Sequence, residues 1–391
     1  MSTIINARSP RFLRFKNNTA ELLNVSLDIR IWSGLKSNNP MTPTYTISKK
    51  PLEQVVGNLV VFEISELIRD YLETEYFQET TDAVWVRASA TKIFASATAV
   101  ETYYFLALDG FGYFEEGVNP RESIVPQLGR SDTPMVLQSN MCVQFVRGRD
   151  IKIPVFSETE PTVVTDIPLG VWNFVDDFWE NHEPTWDMTS VVQQIVDSDD
   201  TADKIQYIVI STDNAVTGDT ITFTSTSGPL QTQTITIEEI CEPKFDAYRG
   251  AFYNKFGAIQ TMWFPNKSII NTSAKSESYN SNIINYDAVG ENPAGVEYST
   301  FRHSKKRFNV IATQGVKLNT SLLSDCYNEP IEQILMSESI WVEFPENGSI
   351  KTRPVILKTS SQIRKTGTND KVMIQYGFDF DFAYEKINNV R

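Results

Sequence analysis

The stretch Val372-Met373-Ile374-Gln375-Tyr376-Gly377-Phe378-Asp379-Phe380-Asp381-Phe382-Ala383-Tyr384 carries an apolar residue, mostly aromatic, at every second position. A period of two sends alternate side chains to opposite faces of a strand, one toward a core and one toward water. The alternation runs for thirteen residues, about twice the usual strand length of roughly 5–6. Such a strand is expected to bend between two sheets or to extend past its own domain to reach a neighbour. Phe378, Phe380, Phe382 and Tyr384 are therefore expected to serve as core or inter-subunit packing.

The same period recurs upstream. Val25, Leu27, Ile29 and Ile31 alternate with Ser26, Asp28 and Arg30, the pattern of a strand with one wet face. Further strands are expected over Ala83–Ala90, Val100–Leu108 and Lys204–Ser211. Over Asp219–Ile237, Thr alternates with Ile and Phe, and TGDT and TSTSGP supply the turns. Helix signals are few. Ile64, Leu67, Ile68, Tyr71 and Leu72 have the spacing of a short amphipathic helix. Asn328-Glu329-Pro330 reads as an N-cap and a proline-containing first turn ahead of the stripe Ile331, Ile334 and Leu335. The expected fold is mainly β: β-sandwich-like modules with a few short helices, and a C-terminal α+β module.

Of 391 residues, 49 are acidic and 35 basic, a net charge of −14. That balance argues against a dedicated nucleic-acid binder, which must neutralise phosphates, and 41% hydrophobic residues exclude a disordered chain. The charge is unevenly placed. Residues 150–240 hold 2 basic and 17 acidic side chains, whereas residues 1–149 sum to −1 and residues 241–391 to +2. The steps in charge suggest an N-terminal β-sandwich-like domain over 1–149, a small acidic all-β domain over 150–240, and a C-terminal α+β assembly domain over 241–391. The opening MSTIINARSPRF has no apolar core of a signal peptide, and no run of about 18 apolar residues exists; no membrane partner is expected. Cys142, Cys241 and Cys326 are odd in number and far apart, which fits isolated thiols better than a disulfide or zinc site.

Catalytic constellations are missing from the sequence. His182, in WENHEPTW, lacks the second histidine of a helical zinc motif, and Pro184 would break that helix. His303 sits in FRHSKKRF among cations that would repel a metal. No phosphate loop, nucleophile elbow or dinucleotide fingerprint appears. No catalytic, metal or cofactor residue is assigned, and no cofactor is expected. Asp197, Asp199, Asp200 and Asp203 superficially resemble a calcium loop, but Ala202 stands where that loop needs glycine and Ile208 where it needs glutamate; a solvated turn is expected. Asp176, Asp177 and Glu180 lie among Trp172, Trp179 and Trp186. These are the ingredients of a glycan hydrolase or of the sugar-stacking surface of a carbohydrate-binding adhesin, or of a small core with acids facing water. The basic run Arg302, Lys305, Lys306 and Arg307 is expected as an electrostatic contact, for which the acidic module of a neighbour is a complementary face.

The third segment resembles a known group. Cys241-Glu242-Pro243-Lys244-Phe245, then Phe252-Tyr253-Asn254-Lys255-Phe256-Gly257-Ala258-Ile259-Gln260 and Trp263-Phe264, is similar to a block in structural proteins of tailed phages and prophages of the Bacteroidetes, including the crAss-like phages. LNTSLL at 318–323, IEQILMSESIWVE at 331–343, RPVILKTSS at 353–361, the closing YGFDFDFAYEKIN, and ARSPRF and LDIRIWSG near the start are similar too. The resemblance implies a non-enzymatic virion protein forming a homo-oligomeric ring in the tail or the portal-to-tail neck. Its partners would be other tail, neck or portal proteins, with DNA as passing cargo and assembly in the host cytoplasm. Asn254, Lys255 and Gly257 would then form a turn that positions neighbouring subunits. The acidic module would face either the DNA channel or a basic partner.

Overall fold

Strand-forming patterns dominate, and the computed structural model of the chain is mainly β, with two short α-helices among the described residues. The structure describes residues 3–18, 21–34, 36–52, 57–72, 76, 83–116, 135–156, 162–165, 167, 191–192, 205–224, 232–240, 244–286, 296–298, 300–346, 348–362 and 374–386.

The first module is a five-stranded sheet with strand order Thr3–Asn6, Thr98–Leu108, Ala83–Phe94, Leu22–Trp32, Tyr45–Lys49. The alternating residues Val25, Leu27, Ile29 and Ile31 all point into its core. A ribbon of Phe12–Lys16 paired with Leu59–Glu63 faces the sheet and adds Leu13, Phe15, Val60 and Phe62. The expected helix is shorter than its apolar spacing, spanning only Ser65–Arg69. Tyr71 and Leu72 donate their amides three residues back, to Ile68 and Arg69, so the chain tightens after one turn. A helix this short depends on burying Ile64 and Ile68 rather than on its own propensity.

Two sheets form the middle module. Ile205–Ile210, Ile151–Phe156 and Met135–Val136 make one; Val191–Val192, Thr162–Thr165, Thr220–Thr224, Thr232–Glu239 and Cys142–Phe145 make the other. Phe145, Ile153, Val155, Phe223, Ile235 and Ile237 fill the space between. Residues 135–145 thus pair within the middle sheets although they precede the charge step at 149/150. Charge reports what faces water, and strand pairing follows what is buried.

A seven-stranded antiparallel sheet builds the third module, ordered Ile259–Phe264, Tyr248–Tyr253, Ile340–Glu346, Ser349–Leu357, Ile374–Phe382, Lys305–Leu323, Ile269–Asn280. Tyr376, Phe378, Phe380 and Phe382 are all buried, and Phe264 meets Phe378 and Phe380 edge-on at 5.8 and 6.3 Å. The strand that carries them runs nine residues, and Tyr384 lies beyond its end, half-exposed and stacked on Phe382. Val372 and Met373 lie outside the described residues. The over-long strand is instead Lys305–Leu323, with 19 residues. The helix Asn328–Met336 buries Ile331 and Ile334 against this sheet. Asn328 is its first helical residue rather than its cap, because a 3-10 turn over Asp325–Tyr327 leads directly into it.

The expectation of isolated thiols fails. Cys142 and Cys326 form a disulfide, with Cα atoms 6.5 Å apart across 184 residues of sequence. Count and spacing pointed to isolated thiols, but sheet pairing brings the start of Cys142–Phe145 beside the turn that precedes the C-terminal helix. Cys241 lies outside the described residues.

Candidate assembly surface

Asn254, Lys255 and Gly257 form a tight turn between Tyr248–Tyr253 and the edge strand Ile259–Phe264 of the large sheet. The Asn254 side chain is 1% exposed. Its Oδ1 accepts the amides of Phe256 and Ala258 at 3.0 and 3.2 Å, and its Nδ2 donates to the Leu137 carbonyl at 2.7 Å. The Lys255 amide donates to Gln333 Oε1 on the C-terminal helix, and its carbonyl accepts the Phe111 amide at 2.8 Å. Gly257 sits at φ +78°, and a Cβ there would lie 2.6 Å from the amide nitrogens of Asp109 and Gly110. The turn therefore holds three parts of its own chain together: the end of the first module, the entry to the middle module, and the helix. Asn254 and Gly257 are buried and Lys255 half-buried, so the contacts the turn makes here are with modules of its own chain.

A second junction joins the middle module to the large sheet. Glu343, 4% exposed, accepts two hydrogen bonds from Arg249 at 2.9 and 2.7 Å and one from Arg149 at 2.9 Å. Tyr76 donates to the same carboxylate. Both guanidiniums lie over the Trp263 ring, at 5.4 and 5.5 Å. Burial alone would push the Glu343 carboxyl up, but Arg249, Tyr76 and Arg149 together hold it below the ordinary carboxylate range. Four hydrogen bonds thus converge on this one carboxylate and tie Tyr76, Arg149 and Arg249 together. No sequence signal marked it, because its members are spread over residues 76–343. Among the described residues no three metal-ligating side chains converge.

The basic run has a different setting. From Lys305 to Lys317 the long strand Lys305–Leu323 pairs with Ile269–Asn280, the outermost strand of the large sheet, and all twelve residues of that outer strand are exposed. At one end Val316 and Leu318 sit in the core; toward the other, Lys305–Asn309 are exposed. The two strands thus leave the body as a β-ribbon arm, with Arg302 and His303 in the exposed turn that enters it. A bulge at Asn309, φ 48°, re-aims the far end. Beyond it the register sets Glu277 opposite Phe308 and Tyr279 opposite Lys306 on one face, and Ser278 opposite Arg307 and Asn280 opposite Lys305 on the other. The Tyr279 and Phe308 rings touch at 5.6 Å. One face therefore carries the two aromatics with Lys306 and Glu277, and the other carries Lys305 and Arg307. Sequence reading found the cations but missed their partner strand, whose polar alternation carries no burial signal.

The arm region is also where apolar surface collects. Of the twenty-three large apolar side chains exposed among the described residues, eight fall between Ile269 and Ile311. No protein-family model matches the chain, and neither does any curated protein. Solved structures give only distant likenesses. A CupB2 chaperone of Pseudomonas aeruginosa is 9% identical, covering 61% of this chain and 97% of its own, with a TM-score of 0.20. A chimeric titin Z1Z2 carrying a decorin peptide is 12% identical over 62% of this chain and 93% of its own, with a TM-score of 0.15. At those scores neither carries an argument about this protein.

Trp172, Trp179, Trp186, Asp176, Asp177, Glu180, His182 and the Asp197–Asp203 cluster lie outside the described residues. No helix among the described residues is long and apolar enough to cross a membrane.

Proposed function

We propose that the chain is a non-enzymatic structural protein of a tailed-phage virion, forming a homo-oligomeric ring in the tail or the portal-to-tail neck around the DNA channel. The observation that supports this reading most is the arm. A twelve-residue edge strand with no covering element among the described residues, next to clustered exposed aromatics and unburied cations, is a hazard in a solitary protein and a resource in an assembly. The order of motifs shared with tailed-phage structural proteins supports the same class. The Cys142–Cys326 disulfide fits a particle that works outside a reducing cytoplasm. A net charge of −14 suits a ring that must let DNA pass without gripping it.

Mass spectrometry of purified virions from the phage encoding this chain, together with negative-stain images of the isolated protein, tests the reading. Stoichiometric presence in virions and ring-shaped particles are expected. Absence from virions would overturn it.

A further inference from the structure

At the root of the arm, between the large sheet and the middle module, lies a groove of about 710 Å³ lined in part by Glu238, Glu239, Lys244, Phe245 and Leu322. Leu322 and Phe245 are 59% and 40% exposed, so the groove has an apolar floor open to water. Glu239 pairs with Arg147 at 3.0 Å, and the Lys244 ammonium lies over the Phe245 ring. Glu238 has no ion-pair partner among the described residues, and it closes the acidic stretch 150–240. The arm end offers the complement: exposed Tyr279 and Phe308 with Lys306 on one face, and Lys305 and Arg307 on the other, none of the three cations in an ion pair among the described residues.

Arm end and groove cannot meet within one chain. Phe308 and Leu322 lie on the same strand, Lys305–Leu323, and at about 3.3 Å per residue they are separated by roughly 45 Å of paired backbone. We infer that the arm end of one copy seats in this groove on the next copy, placing Phe308 and Tyr279 over Leu322 and Phe245, with the arm cations facing Glu238. The inference rests on the homo-oligomeric reading above and deepens it. Two different surfaces of one chain meeting in this way make a heterologous contact, which closes into a ring or runs on as a filament according to the rotation it imposes.

The test uses the full chain, with mass photometry and light scattering across a concentration series at low and high salt. Glu238→Lys alone and the pair Lys305→Glu with Arg307→Glu are each expected to weaken association roughly tenfold or more, and the combined variant to recover most of it. Phe308→Ser is expected to weaken it without restoring under any charge change. Thermal melts show whether each variant is folded; Lys305, Arg307 and Phe308 are exposed and Glu238 is half-buried. An oligomer that persists unchanged in all three variants overturns the arm-to-groove contact and leaves the ring reading standing. A parent chain that stays monomeric at every concentration overturns both.

Discussion

Gly257 shows how one residue fixes the arrangement of a large chain. Its positive φ is costly for any side chain, and its missing Cβ is what lets the Asp109–Gly110 backbone approach. Gly257→Ala is expected to lower stability by about 2–4 kcal/mol, read from urea unfolding, from the combined backbone and overpacking costs. Glu343 acts similarly at the other junction. Glu343→Gln leaves two guanidiniums without their counter-charge, for a loss of about 3 kcal/mol or more. Its folded pKa lies below the unfolded value of roughly 4.3. The contribution is therefore complete above that unfolded value and is lost as pH falls through the folded one. The parent should lose stability more steeply than the variant between about pH 5 and pH 3, in denaturant titrations at each pH. The Asn254–Gly257 turn was visible as a motif, whereas its inward orientation was not. Asn and Gly mark a turn wherever it lies, and only the packing of Asp109, Leu137 and Gln333 says that this one is buried.

Among the elements, the strands Ile374–Phe382 and Lys305–Leu323 make the sharpest contrast. Both are long, both alternate in part, and they pair with one another. Yet Phe378 is fully buried while Phe308 is 44% exposed. Phe378→Ala is expected to cost about 3–5 kcal/mol in the isolated protein. Phe308→Ser should fall within about 0.5 kcal/mol of the parent in the same unfolding experiment, unless the arm is covered by another copy. Period two identified Ile374–Phe382 well because its alternate face is solvated. It failed on Ile269–Asn280, where both faces are wet and the pattern has nothing to report. The short helix Ser65–Arg69 was also legible in kind and not in length, since its last apolar residues pack from a tightened turn.

For the molecule as a whole, the Cys142–Cys326 bond ties the middle module to the turn before the C-terminal helix. Closing so long a loop is expected to stabilise the protein by about 2–5 kcal/mol. Reduction, or Cys142→Ser, should lower the thermal midpoint, and the intact mass under non-reducing conditions should be lighter by two hydrogens than the reduced chain. An unchanged midpoint on reduction would mean the bond contributes nothing to module docking.

The sequence by itself determined that the chain is mainly β, where most of its strands lie, and that its charge is concentrated in one stretch. Those properties are local: a period of two, a turn residue or a count of carboxylates can be read within a dozen positions. Only the tertiary structure decided that the Asn254 turn faces inward, that two distant cysteines join, and that one ribbon leaves the body with its apolar side chains uncovered. Each of those depends on residues more than a hundred positions apart, or on which face of a strand finds no partner, and burial of that kind is set by the pairing of whole elements.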